Sequence, residues 1–274
     1  MATITGTLRK MKTELAKEVR YFLRCGDVQV SLNECIAKSI EIQFTNVIHC
    51  IQCGRQTKKS FQQGYCFPCL CRLQECNLCT IHPERCLVES QGCPKDNWAH
   101  EQCHQTHIVY LANSSALKVG ITRHTHVPTR WIDQGAVQAL PIIQVPNRYQ
   151  SGMVEMILKK YVSDKTNWRQ MLKGPAEEID LRAERDRLLS LAQKEIQCVK
   201  KSFKENGLTI LENAEVVTIN YPVQHYPKKI TSLSLDKTPN VHGVLQGIKG
   251  QYLLLDRGVM NIRKFGGYEI TIKI

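Results

Sequence analysis

The sequence predicts an α+β fold, and three observations carry that prediction. Both ends of the chain alternate apolar and polar residues with the two-residue period of strands. The middle reads strand, strand, helix, and then passes into longer helical patterns. A block dense in cysteine divides the first end from the middle, with twelve of the 13 cysteines before position 104. At 274 residues there is room for two or three small domains with cores of their own.

Residues 1–48 carry two conflicting patterns. Leu8, Met11, Leu15, Val19 and Phe22 fit a helical stripe, whereas Val28 with Val30, and Ile40, Ile42 and Phe44, alternate as strands. The alternation is the stronger signal, and the segment is expected to be mostly β. Residues 49–107 are the cysteine-rich region. Residues 108–173 open with a strand at 108–112, a polar turn at 113–115 and a second strand at 117–122, which together read as a hairpin. A helix follows near 129–134, and 140–145 is a third strand. Ser151 is placed to cap an amphipathic helix that presents Met153, Met156, Ile157 and Tyr161 on one face. Residues 174–206 predict one long helix, with Pro175 at its start, acidic Glu177, Glu178 and Asp180 beside the positive dipole end, and Gly207 as its stop. Residues 207–274 return to short strands with glycine turns, which suggests a small barrel or sandwich. Neither terminal β segment is long enough to hold a core comfortably alone, so the two are expected to pack together.

Within the cysteine-rich region, Cys50-Ile-Gln-Cys53 and Cys66-Phe-Pro-Cys69 are separated by twelve residues. Each CxxC makes a tight turn that aims both sulfurs at one point, and two such turns on a short arm give the tetrahedral ligand set of a structural zinc, in the manner of a zinc ribbon. A second zinc is expected further on. Cys76 and Cys79 form a third CxxC, and two more ligands would come from Cys86, Cys93, Cys103 and His107. The alternative is a single zinc with spare thiols packed in a small core. The first residues lack the apolar stretch of a secretory signal, and no run approaches the roughly 18–20 apolar residues that span a bilayer. The expectation is therefore a cytoplasmic protein without a membrane partner, in whose reducing surroundings clustered cysteines mean metal and not disulfides.

Lysine and arginine number 37 against 25 aspartates and glutamates, a formal charge of +12. Residues 108–173 hold nine basic and three acidic residues, half of that excess in a quarter of the chain. This segment, more than the whole protein, is the candidate for contacting a polyanion.

The same segment carries a constellation of residues in order. Ile108-Val-Tyr110 lies on the first strand and Lys118-Val-Gly120 on the second, Arg130 falls on the helix after the hairpin, and Glu155 on a later helix. The pattern resembles the GIY-YIG nuclease superfamily over residues 107–170, with Lys118 where that family has its second tyrosine. The whole chain also resembles a bacterial family of uncharacterised function. The first resemblance implies a GIY-YIG-like domain and an endonuclease in which Glu155 holds Mg²⁺ or Mn²⁺, Arg130 grips the phosphoryl oxygens, and Tyr110 orients or deprotonates the attacking water. Lys118 suits phosphate binding but is a poor base unless its pKa falls by several units; His124 and His126 are substitutes. Trp131 and Trp168 offer stacking platforms and, with Arg130 and Arg169, a nucleic-acid surface that favours RNA or single-stranded DNA. Three functions stay open on these residues: a metal-dependent nuclease with a zinc module, a non-catalytic nucleic-acid-binding or scaffold protein on the same fold, and an enzyme acting on a modified nucleotide or small phosphate ester.

Overall fold

The computed structural model describes residues 2–87, 92–93, 96–203 and 207–274. In chain order these form β1 (Thr3–Glu14), β2 (Arg20–Cys25), β3 (Val28–Ser31), β4 (Ser39–Ile48), α1 (Phe67–Arg72) and α2 (Asp96–Gln102). The middle of the chain forms β5 (His107–Asn113), β6 (Leu117–Arg123), α3 (Thr129–Asp133), β7 (Gln138–Val145), α4 (Arg148–Leu158) and α5 (Trp168–Met171). Then come α6 (Leu181–Leu191), α7 (Gln193–Ser202), β8 (Thr209–Ile210), β9 (Val217–Thr218), β10 (Asn240–Lys249), β11 (Tyr252–Leu255), β12 (Gly258–Asn261) and β13 (Tyr268–Lys273). The fold is α+β.

Strands from the two ends of the chain share one antiparallel sheet, in the order β12-β11-β10-β4-β13-β1-β2-β3, interleaved at β4 and β13. The path is open at β12 and β3, so of the two alternatives, barrel or sandwich, no closed barrel forms. Two strands change partner halfway along. Residues 3–7 of β1 pair with β13 and residues 8–14 with β2; β10 passes likewise from β4 to β11 at Leu245. The sheet thereby bends around a core that includes Leu8, Met11, Tyr21, Ile42, Leu253 and Phe265. The helical spacing of Leu8 and Met11 has its explanation here. A register shift between Arg9 and Lys12 inserts one extra residue into β1, so positions three apart both turn inward.

The second sheet runs β6-β5-β7-β8, with β9 also on β7. All seven residues of β5 are buried, because both of its faces are covered. Ile108, Tyr110 and Ala112 join the core of the large sheet, while Val109 and Leu111 join a second core with Val154, Leu158 and Leu188 of the helices. A buried polar knot ties the layers together. Asp133 pairs with Lys10 and accepts from Gln251 Nε2 at 2.9 Å, and Gln251 Oε1 accepts from the Met11 N–H at 2.9 Å. The helix that carries Arg130 is thus fastened to the large sheet.

Two helices differ from expectation in their ends and faces. Asn147, not Ser151, caps α4, accepting from the Gln150 N–H at 2.9 Å. Its buried face is Val154, Ile157 and Leu158, whereas Met156 is 41% exposed. The long helix of residues 174–206 is two helices that meet at Ala192. It starts at Asp180, whose carboxylate accepts from the N–H groups of Arg182 and Ala183, and residues 204–206 lie outside the described residues.

Candidate functional site

The first cluster builds itself from local turns. After β4 the chain turns through Cys50 and Cys53, with the Gly54 N–H donating to the Cys50 carbonyl at 2.9 Å and Gly54 in the left-handed region at φ 69°. A small hairpin, bridged at Phe61 and Tyr65, brings the chain back. Cys66 stands just before α1 and Cys69 in its first turn. The second pair therefore opens a helix instead of forming the second knuckle of a ribbon. The ligand atoms of Cys50, Cys53, Cys66 and Cys69 all lie within 4.8 Å of one another. Burial alone would raise the Cys50 thiol, but N–H groups of Cys53, Cys66 and Gln52 aimed at its sulfur outweigh it and bring the pKa down to about 6. Four cysteines so placed can hold a zinc ion.

The other predicted ligands separate. Cys76 is buried on the side of this first cluster, where Cys50 and Glu75 lie near its thiol and its carbonyl accepts from Gln62. Cys79, Cys86, Cys93 and Cys103 gather elsewhere, around a common cavity. His107 begins β5, fully buried, with Nδ1 donating to the Gln105 carbonyl at 2.6 Å. Burial pushes its pKa down to about 4, so the ring is neutral.

The hairpin residues converge. In the antiparallel pairing Tyr110 lies opposite Gly120, and Lys118 opposite Ala112, so Tyr110 and Lys118 share one face. A Cβ at Gly120 would stand 2.6 Å from Tyr110 Oη, which is why glycine occupies that position. Tyr110 Oη donates to Gln134 Oε1 at 3.0 Å, and the ring meets Trp131 edge-on. Burial raises the Tyr110 pKa, and the adjacent Arg130 opposes the shift. Lys118 is 4% exposed and donates to Thr166 Oγ1 at 3.3 Å. Burial, with Arg130 adding to it, brings its pKa down to about 8, against the pull of Asp164 and Glu155. Glu155 is raised by burial and feels Lys159, Asp164, Lys118 and Arg148. Tyr110, Lys118, Arg130 and Glu155 therefore share one electrostatic environment.

Two further contributions complete this group: the polar-aromatic run Asp164-Lys-Thr-Asn-Trp-Arg169, which the sequence offers either as part of the site or as a pin for a loop, and Arg148, which the sequence reading passed over. The loop after α4 lies along the edge strand β6, where the Val119 N–H donates to the Ser163 carbonyl at 2.9 Å. That contact delivers Asp164, paired with Lys159 at 2.9 Å, and Thr166, which also bonds Ser114 at 2.9 Å. Arg148, the first residue of α4, donates to the Thr80 carbonyl, and its Nε is buried with no hydrogen-bond partner among the described residues. A cation at a helix N-terminus opposes the dipole, and this was the one signal in the sequence that could have singled it out.

The indoles are not stacking platforms. Trp131 is 1% exposed and belongs to the core. Trp168 lies flat on Tyr252, centroids 5.6 Å apart, and carries the Arg169 guanidinium over its ring at 4.4 Å. Both rings are engaged within the protein.

A family model described as "Protein of unknown function (DUF2797)" matches residues 37–270. The chain belongs to that family. The matched span of this DUF2797 protein contains the first cysteine cluster, the cavity lined by the later cysteines, and the whole of the hairpin site. No curated protein and no solved structure matches the chain. Among the described residues, no helix of the DUF2797 protein is long and apolar enough to cross a membrane.

Proposed function

We propose that this DUF2797 protein binds nucleic acid at the hairpin site and hydrolyses a phosphodiester there, with the first cysteine cluster as a zinc-bound structural module. One observation carries the reading. A half-buried carboxylate, a buried lysine and a buried tyrosine come together with Arg130, Arg148 and Lys159, so that cations outnumber the carboxylates of Glu155 and Asp164 by four to two. A mostly cationic group of side chains with one or two carboxylates suits a phosphate diester and a hard divalent ion, which takes carboxylate and phosphate oxygens and keeps several waters. Glu155, with Asp164 near it, would hold Mg²⁺ or Mn²⁺, which when bound polarises the phosphate and lowers the pKa of a bound water. Arg130 binds the non-bridging oxygens. Lys118, lowered to about 8, holds a usable neutral fraction near neutral pH and can take a proton, which answers the loss of the second tyrosine. Tyr110, anchored by Gln134, orients the attacking oxygen.

A second reading, a binding protein without catalysis, is favoured by the full burial of Tyr110 and the 4% exposure of Lys118. The two separate on Glu155→Gln. It keeps the shape and removes the charge, so cleavage of RNA, DNA or branched substrate with Mg²⁺ or Mn²⁺ is abolished while binding persists. Wild type that binds but cuts none of these substrates establishes the second reading. Equal cutting by Glu155→Gln removes this site from the reaction.

A further inference from the structure

Outside the first cluster and the hairpin site, four cysteines line one cavity of about 330 Å³: Cys79, Cys86, Cys93 and Cys103, with Leu78 and Trp98 beside them. Three of the four, Cys79, Cys86 and Cys103, also line a smaller cavity against Asn147 and Arg148. They come from separate turns. Cys79 lies in a turn at Leu78–Thr80, Cys86 ends a turn at Pro83–Arg85, and Cys103 follows α2. Among the described residues 73–106 there is no strand, and their buried apolar side chains amount to Cys76, Pro83 and Ala99. So little buried surface cannot hold these described residues in place against their conformational entropy, so the segment needs a cross-link.

We propose that Cys79, Cys86, Cys93 and Cys103 bind a second structural zinc ion, and that this ion clamps their segment onto α4, the helix that carries Glu155. Four thiolates fit Zn²⁺; His104 lines the smaller cavity beside three of them and is the nitrogen donor that the test must tell apart from Cys93. The sulfurs stand around the cavity and, unlike the first cluster, do not close to 4.8 Å, so loading draws the turns inward. Cys76 and His107, both candidates by spacing, fall outside the set: Cys76 faces the first cluster, and His107 is absent from the lining. The clamp is already outlined by contacts. The Arg148 N–H donates to the Cys103 carbonyl at 2.9 Å, and the Arg148 side chain reaches the Thr80 carbonyl. Gly152 on α4 packs so closely on the Pro83 turn that a Cβ would meet Pro83 Cγ at 2.7 Å and the Glu84 nitrogen at 2.9 Å. Zinc in the second set therefore fixes where α4 starts. The metal site does not depend on the phosphodiester reading.

Elemental analysis of the full chain, purified with zinc present, tests the proposal. Two zinc ions per chain are expected. Cys86→Ser, Cys93→Ser and Cys103→Ser each drop the count to one, whereas Cys76→Ser and His104→Ala keep two. One zinc in wild type, two in Cys86→Ser, or a drop in His104→Ala with none in Cys93→Ser overturns the ligand set. Should the variants fail to fold, alkylation of wild type followed by mass spectrometry decides the matter. N-ethylmaleimide is expected to modify exposed Cys71 and Cys198 and to spare the four until a chelator is added. Modification of the four at the rate of Cys198 without chelator overturns the site.

Discussion

Replacing Lys118 by methionine should make the protein more stable and its polyanion binding weaker, a combination expected of a site residue held at a cost to the fold. Lys118 is 4% exposed, and among the described residues its Nζ donates only to Thr166 Oγ1, at 3.3 Å. Burial displaces its pKa from 10.5 to about 8. At about 1.36 kcal/mol per unit, the folded chain disfavours the ammonium by roughly 3 kcal/mol. The sign follows from proton counts. Below pH 8 the lysine is charged in both states and the penalty is complete. From about 8 to 10.5 the folded chain has released its proton while the unfolded chain keeps it, so stability rises with pH and the penalty disappears. Methionine retains the stem and loses the charge, together with one hydrogen bond worth about 0.5–1.5 kcal/mol. Lys118→Met should therefore exceed wild type by about 2 kcal/mol at pH 7, with the gap closing toward pH 10. Urea denaturation of both proteins at the two pH values measures it, and fluorescence anisotropy with a labelled oligonucleotide should show weaker binding by the variant. A variant less stable than wild type at pH 7, or a gap independent of pH, refutes the reasoning.

Cys53→Ser should unfold residues 49–70, seen as lost hydrogen-exchange protection confined to that stretch, because a structural zinc contributes folding free energy directly. Arg130→Ala should weaken oligonucleotide binding and lower the salt slope by about one, and Arg169→Ala should also weaken it, while Lys237→Ala in the terminal β region does neither; equal effects from all three would make the charge concentration incidental. Gly120→Ala forces a methyl against Tyr110 Oη and should cost about 1–3 kcal/mol in denaturation, a loss that a Tyr110→Ala background absorbs.

Much of the site was legible because its signals are local. The CxxC pairs specify their own turns, and the strand–turn–strand pattern at 108–122 specifies its own hairpin, which places Tyr110 across from Gly120. Arg130 and Glu155 were recognisable by their order along the chain and Asp164 by the polar-aromatic run 164–169, whereas the placement of Asp164, Thr166 and Arg148 beside them was not. They arrive through a loop that docks on the edge of β6 and a helix start that docks on the Pro83 turn, contacts with no periodic signature. The same limit explains the indoles. Composition marks Trp131 as a large aromatic beside an arginine, and only packing shows that its ring fills the core against Tyr110.

By itself the sequence determined the strand periodicity of both ends, the four-cysteine cluster, the hairpin and the concentration of positive charge in the middle of the chain. Tertiary structure alone decided that β4 lies between β10 and β13, strands roughly two hundred residues away in the chain, and that the resulting sheet stays open. It also decided that Cys76 and Cys79, three positions apart, face different clusters. The reason is physical. Spacing and periodicity report which side of a segment is apolar or which turn it makes, and these depend on a few neighbouring residues. What that side meets depends on contacts across the whole chain, whose closure is paid for by burial that no single segment encodes.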